Sequence, residues 1–243
     1  MHITEYNSRT ALLLGEKAMQ TLSQSHVMVV GVGGVGAYAV EMLARAGIGR
    51  LTIIDGDDVA PSNLNRQLPA LVSTLGVPKV DVMKRRIADM SPGCVVDARH
   101  TFLMAEDVEP LLDSLKPDFV VDAIDSVKPK VELIWQCVRK KVRLISSMGA
   151  GGRIDPAKTA YADISDTYND GLARAVRQRL KERGVTRGVK VVFSPETPRK
   201  DSLLLTDELP FKVSSFGTVA WLPAQFGIML GAYVVNKLTG QKI

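Results

Sequence analysis

The chain has 243 residues, is 46% hydrophobic and carries a formal net charge of +5, with a pI near 9.2. That is ample for one large α/β domain, or a domain with an extension, and the basic balance admits an acidic partner without requiring one. Its two cysteines, Cys94 and Cys137, form no CxxC pair, which argues against a disulfide framework and makes a reducing, cytoplasmic location the expectation.

The first 24 residues mix Glu5, Arg9, Glu16 and Lys17 among apolar positions. They contain no uninterrupted apolar core of the kind a signal peptide needs. The apolar run Val27 to Val30 predicts a strand over 26–31. Gly31-Val32-Gly33-Gly34-Val35-Gly36 follows it and opens a predicted helix over 34–46. A strand–turn–helix of this type is the setting of a phosphate or nucleotide loop. Glycine lets backbone approach the ligand, and the helix N-terminus offers N–H groups and positive dipole to phosphate. The glycines alone would suggest NAD.

The second strand, 50–55, ends on Asp55, with Gly56, Asp57 and Asp58 behind it. A carboxylate about 20 positions after such a loop binds ribose hydroxyls. The alternative for Asp55, and more so for Asp57, is a turn or a helix cap. Next comes Asn63-Leu64-Asn65-Arg66-Gln67. A hydride-transfer site has no need of an arginine there. A site that stabilises charge moving on a polyphosphate does, although Arg66 taken singly could be an ordinary surface residue. Pro78 suits a helix start, and Val80, Met83, Ile87 and Met90 share one face of a predicted helix over 79–90. Lys79 heads that helix, where it is either solvated or aimed at phosphate.

Strands over 95–101, 118–123 and 142–147 alternate with helices over 105–115 and 128–140. The alternation predicts an α/β fold, a Rossmann-like doubly wound, mostly parallel sheet. Asp122 and Asp125 end the fourth strand, where open α/β sheets bind ligands. A carboxylate there can hold Mg²⁺ against phosphate oxygens. Asp125, the outer of the two, is the candidate; the alternative is a cap on the next helix.

Beyond Gly149-Ala150-Gly151-Gly152 the rhythm changes. The division expected is a nucleotide-binding core over 1–150, with an N-terminal helical arm, and a C-terminal extension over 151–243. A basic helix over 170–183, a strand over 189–194 and a long polar loop over 195–210, of the kind used as a lid, come in turn. Arg174, Arg177 and Lys181 share a helical face that could follow a phosphate backbone or simply be solvated. No charge occurs between Lys212 and Lys237. Pro223, Gln225, Gly227 and Gly231 interrupt that stretch, so a buried core helix is expected in preference to a membrane span. Trp135 and Trp221 are expected in the core.

The set Gly31, Gly33, Gly34, Gly36, Asp55, Asn63, Arg66, Gln67, Lys79 and Asp125 resembles the ubiquitin-activating superfamily, with its bacterial adenylyltransferases of molybdopterin and thiamine biosynthesis. Arg66 lies eleven positions after Asp55, and Lys79 thirteen positions after Arg66. The resemblance implies that Asp55 binds ribose, that Asn63, Arg66 and Lys79 contact ATP phosphates, and that Asp125 holds Mg²⁺. It also implies a homodimer in which Arg9 reaches the partner's ATP. Sulfur-carrier activators often hold zinc through two CxxC pairs and use a nucleophilic cysteine. Cys94 and Cys137 look like packing residues instead. Gly15-Glu16-Lys17-Ala18, the stretch Asp122 to Lys130, and Gly149 to Pro156 are similar to the tRNA threonylcarbamoyladenosine dehydratases. That family uses ATP to adenylate the substrate's own carboxylate and closes a ring with loss of water, so no enzyme nucleophile is required; a sulfur-transfer protein could assist. The alternatives are an adenylyltransferase for a ubiquitin-like sulfur carrier and a plain NAD-binding module.

Overall fold

In the computed structural model, residues 5–209 and 212–242 are described. Two short helices, α1 (Ser8–Leu14) and α2 (Glu16–Gln24), lead into β1 (His26–Val30). The chain then alternates through α3 (Gly36–Ala46), β2 (Arg50–Asp55), α4 (Lys79–Met90), β3 (Val95–His100), α5 (Val108–Leu115), β4 (Phe119–Asp122), α6 (Val127–Lys140) and β5 (Leu144–Ser147). After β5 come β6 (Ala160–Asp163), α7 (Gly171–Glu182), β7 (Lys190–Phe193), a hairpin of β8 (Leu203–Leu209) and β9 (Lys212–Phe216), and α8 (Trp221–Thr239).

The main sheet has seven strands in the order β3-β2-β1-β4-β5-β7-β6. All pairings are parallel except β6 with β7. This is the doubly wound arrangement the alternation predicts. The winding reverses between β1 and β4, so a crevice opens at their carboxyl ends. Val30 lies beside both Ile54 and Asp122 in the ladder, so the glycine loop, Asp55 and the β4 terminus emerge side by side.

Alternation along β1 divides the core. Val27 and Val29 pack with Val40 and Leu43 of α3, Met83 and Ile87 of α4, and Phe226 and Leu230 of α8. Met28 and Val30 pack on the other side with Val108 and Leu112 of α5 and Leu133 and Cys137 of α6. A further cluster joins Ala173, Val176 and Leu180 of α7 to Val191 and Phe193 of β7 and Ile134 of α6.

From Trp221 onward the uncharged stretch forms α8, and its Leu222, Phe226, Leu230 and Val234 are fully buried. No helix among the described residues is long and apolar enough to cross a membrane. Contact with α3 is close because two glycines face it. A Cβ added at Gly227 would lie 2.2 Å from the Val35 carbonyl oxygen, and one at Gly231 would lie 2.7 Å from Met42 Cβ.

Three expectations need correction. The stretch 195–210 is not one loop, because Leu203–Leu209 pairs antiparallel with Lys212–Phe216; Pro210 lies outside the described residues. Trp221 is 53% exposed, not buried in the core. Trp135 is only half-buried, with the guanidinium groups of Arg139 and Arg183 at 5.0 and 5.1 Å from its ring centre. The ring packs against the edge of the Ile134–Val176 cluster and offers its outer side to the two cations.

Candidate active site

Tight backbone contacts shape the glycine loop. Gly31 has φ +87°, and a Cβ there would meet the Ala123 carbonyl oxygen at 2.6 Å. At Gly36 it would meet the Gly31 carbonyl oxygen at 1.7 Å. Gly31 N–H donates to Ile54 O and Ala123 N–H to Val30 O, each at 2.8 Å, so the loop is stitched to both flanking strands. The side chain of Gln67 lies beside Gly33, and those of Arg66 and Pro223 lie beside Gly34.

The end of β2 supplies the next group. Asp55 accepts the Val32 N–H at 2.6 Å and the Asp57 N–H at 2.8 Å. Burial pushes its carboxyl above the ordinary carboxylate value, opposed by the charge of Lys79 and these two hydrogen bonds. Asp55 therefore already touches the loop. A ribose hydroxyl arriving there would meet a fixed acceptor.

Lys79 is 3% exposed, which rules out the solvated alternative. Its Nζ donates to Asp57 Oδ2 at 2.7 Å, while Asp57 itself faces solvent. Asn63 is buried, and its Oδ1 caps the Ala60 N–H at 3.0 Å, which pins the turn that presents Arg66. Arg66 is half-buried and donates to Ser62 O and Asn65 Oδ1, both at 2.8 Å. Burial lowers the Arg66 pKa from its ordinary value, and the charge of Asp125 partly offsets this. Gln67 Oε1 is buried with no hydrogen-bond partner among the described residues. A lone acceptor of this type beside a phosphate-type loop calls for a donor from outside the chain.

Asp122 and Asp125 separate into different roles. Asp122 is fully buried; it accepts Lys130 Nζ at 2.7 Å, Ser146 Oγ at 2.6 Å and the Ile124 N–H at 3.0 Å. Lys130, also fully buried, bonds Ser146 Oγ at 3.1 Å. This closed triad fixes the turn after β4 and thus the place of Asp125, which is exposed at the crevice. Sequence reasoning missed Lys130. Its position eight residues after Asp122 looks like one more surface lysine of a basic helix start.

Arg153 was also missed. It is 3% exposed and donates to the carbonyls of Gly149 (2.5 Å), Asn169 (2.8 Å) and Glu196 (2.9 Å), with Asp170 Oδ2 at 3.5 Å. Asp170 in turn accepts the Gly149 N–H and caps α7 through the Ala173 N–H, both at 2.9 Å. One guanidinium therefore ties the Gly149–Gly152 turn to the start of α7 and to the segment after β7.

The remaining predicted residues lie away from the loop. Arg9 is exposed on α1, on one face with Leu12 and Leu13, which are 88% and 84% exposed. Arg174, Arg177 and Lys181 do share a face of α7 and line a depression of about 460 Å³. Arg177, however, is half-buried and spends its Nη1 on Thr167 Oγ1 (2.6 Å) and the carbonyls of Thr167 and Ile164. Burial pushes the Cys137 thiol up to about 12, helped by Asp122, and the Cys94 thiol up to about 11. Neither is poised as a thiolate nucleophile.

A glycine loop at the switch point, with an acid at the end of the neighbouring strand and two cationic side chains close by, defines a nucleotide-binding α/β protein. The chain belongs to the ThiF family, whose model matches residues 6–243. It is 42% identical to the tRNA threonylcarbamoyladenosine dehydratase of Bacillus subtilis, over 95% of this chain and 93% of that protein. The crystal structure of the Escherichia coli tRNA N6-threonylcarbamoyladenosine dehydratase, TcdA, in complex with ATP superposes with a TM-score of 0.88 at 37% identity, covering 99% of this chain and 98% of the other. A molybdopterin-synthase adenylyltransferase of Haemophilus influenzae is 33% identical over 66% of this chain and 65% of its own length.

Proposed function

We propose that this protein is an ATP-dependent tRNA-modifying dehydratase that cyclises threonylcarbamoyladenosine beside the anticodon. The observation that carries the reading is near-full-length similarity, in sequence and in fold, to dehydratases of that name, together with a glycine loop whose surroundings suit a nucleoside triphosphate. The carboxylate of the substrate is adenylated on ATP with release of pyrophosphate. A nucleophilic group of the same modification then attacks the acyl-adenylate and expels AMP, so that water is lost overall. Ring closure within one molecule can carry an effective molarity of about 10⁵ M or more, so no enzyme thiol is needed. The two high-pKa cysteines agree with this.

In this reading Gly31, Gly33, Gly34 and Gly36 cradle the nucleotide and Asp55 takes the ribose. Lys79 and Arg66 offset charge on the phosphates, with Asn63 holding the Arg66 turn. Asp57 serves as the resting counter-ion of Lys79. Asp125 is a hard oxygen donor at the crevice mouth, and the described residues hold no group of three or more metal-ligating side chains. One carboxylate plus phosphate oxygens and water suits Mg²⁺, which keeps much of its hydration; bound there, it would neutralise phosphate charge. Arg174 and Lys181 offer charge to the RNA backbone, and Arg177 holds their helix in place. Exposed Leu12 and Leu13 beside Arg9 suit burial against a second copy, which would carry Arg9 toward that copy's nucleotide.

The sulfur-carrier alternative shares the first half-reaction. The test is AMP release and loss of water with modified tRNA, set against adenylation of a carrier ending in Gly-Gly. Activity on the carrier alone would refute the proposal.

A further inference from the structure

An aromatic ring stands at the rim of the candidate site, held in one orientation with most of its surface unused. Trp221 is the first residue of α8 and is 53% exposed. Its indole Nε1–H donates to Ile154 O at 2.8 Å. That bond fixes the ring's edge and leaves its apolar surface toward solvent. The segment that carries Trp221 meets the site on both sides of it, while the indole itself is held by Ile154. Two residues along α8, Pro223 lies beside Gly34 of the nucleotide loop, where an added Cβ would touch Pro223 Cβ at 3.4 Å. On the other side, Asn65 Nδ2 donates to Thr218 O at 2.9 Å, tying the approach to α8 to the turn that presents Arg66. Ile154, which holds the indole, donates its N–H to both oxygens of the Glu196 carboxylate, which also accepts the Asp155 N–H.

We propose that Trp221 is the platform on which the base of the substrate nucleotide stacks while its side group reaches into the nucleotide crevice. The inference rests on the tRNA-modifying reading and adds the base-binding contact to it. The chemistry sets the distance. The carboxyl carbon of a threonylcarbamoyl group is four bonds from the adenine nitrogen that bears it, about 5 Å when extended. If that carboxylate is to meet an α-phosphate over the glycine loop, the base must lie at the rim of the same crevice. The base must also leave the anticodon stack, and a π-face that receives it offsets the stacking it gives up. Trp221 is a large aromatic face at that rim, oriented beforehand, so little rotamer freedom is lost on binding. Stacking tolerates any base, so Trp221 supplies affinity and orientation, and the hydrogen-bonding edge of the base is left to other groups.

The test uses the full-length protein with ATP and tRNA carrying the modification. Trp221→Ala is expected to raise the KM for tRNA on the order of 5- to 150-fold, the span of one base–aromatic stack. ATP affinity, measured by calorimetry, should stay within twofold. Trp221→Phe keeps a stacking face but loses the bond to Ile154, and it should restore most of the tRNA affinity; Trp221→Leu should not. In a Trp135→Phe background, residue 221 is the sole tryptophan, and its fluorescence should be quenched on saturation with tRNA. Unchanged tRNA KM in Trp221→Ala, or Phe failing as completely as Ala, would overturn the proposal in favour of a structural role for the Ile154 bond. A loss of activity that tracks dissociation of a dimer in sedimentation would assign Trp221 to a contact between copies and also overturn it. Failure of the parent protein to act on modified tRNA is a different result, because it refutes the functional reading itself.

Discussion

The close fit of α8 on α3 makes Gly227→Ala an informative substitution. By helix propensity alone, replacing an interior glycine with alanine should stabilise the protein by about 1 kcal/mol. The structure reverses that sign. The new Cβ would lie 2.2 Å from the Val35 carbonyl oxygen, 2.7 Å from Tyr38 Cβ and 3.0 Å from the Ala39 nitrogen. These are main-chain atoms or a Cβ, so no side chain can swing away. Reaching an ordinary carbon–oxygen approach of about 3.3 Å requires roughly 1 Å of movement between the helices. Overpacking costs about 1–3 kcal/mol, and contacts this short against main-chain atoms belong to the upper part of that range, about 2–3 kcal/mol, which leaves about 1–2 kcal/mol after the propensity gain. The net effect should lower Tm by about 2–8 °C in a chain of this size. Val35 belongs to the glycine loop and Pro223 touches it, so the same shift should weaken ATP binding. Gly171→Ala is the control, since nothing lies within 4 Å of its added Cβ. Thermal melts and ATP titrations of the two variants decide the matter. If Gly227→Ala is as stable as Gly171→Ala and binds ATP like the parent, α8 does not brace the loop and the packing argument fails.

Other perturbations separate the roles assigned to individual residues. Replacing Arg66 or Lys79 with Ala should slow AMP release by ~10²–10³, the typical cost of one charge-stabilising donor; near-parent rates in both would remove them from the phosphate site. Lys79→Ala also leaves Asp57 without its partner, but Asp57 is exposed enough to find water, so the fold should survive a circular-dichroism melt. Cys94→Ser combined with Cys137→Ser should retain most activity if the double variant folds, and an enzyme–substrate adduct on either sulfur in mass spectrometry would contradict the thiol-free route. Arg174→Glu with Lys181→Glu should weaken tRNA binding and flatten its log–log salt dependence by roughly 0.9 per lost phosphate contact. Arg177→Glu should instead lower stability, because its guanidinium is committed to Thr167 and Ile164; unchanged salt dependence in the double variant would leave α7 as a solvated face.

The parts of this fold that could be read from residues alone are those with one dominant physical cause. Val27 to Val30 is a buried parallel strand, and buried parallel strands are continuous apolar runs. Helix α4 shows its apolar face at regular spacing behind Pro78. The short strand Ala160–Asp163 was not legible, because every residue in it is only half-buried and its composition is not strand-like. Strand β8 was hidden by the prolines around it, although Leu203, Leu204 and Leu205 form an apolar run. Lys130 and Arg153 were invisible for another reason. A buried cation is justified only by partners that the fold brings from elsewhere: Asp122 and Ser146 for one, and carbonyls from three separate turns for the other. Local pattern cannot encode such convergence. Trp221 misled because an apolar run was read as uniformly interior, whereas its first residue sits at the open end of the helix.

The most direct measurement is the mass of the modified nucleoside recovered from tRNA after incubation with the purified protein, ATP and Mg²⁺. A dehydratase of this kind yields a nucleoside lighter by one water, formed only with ATP and matched by AMP release. An unchanged nucleoside together with AMP transferred to a carrier protein ending in Gly-Gly would contradict the dehydratase reading.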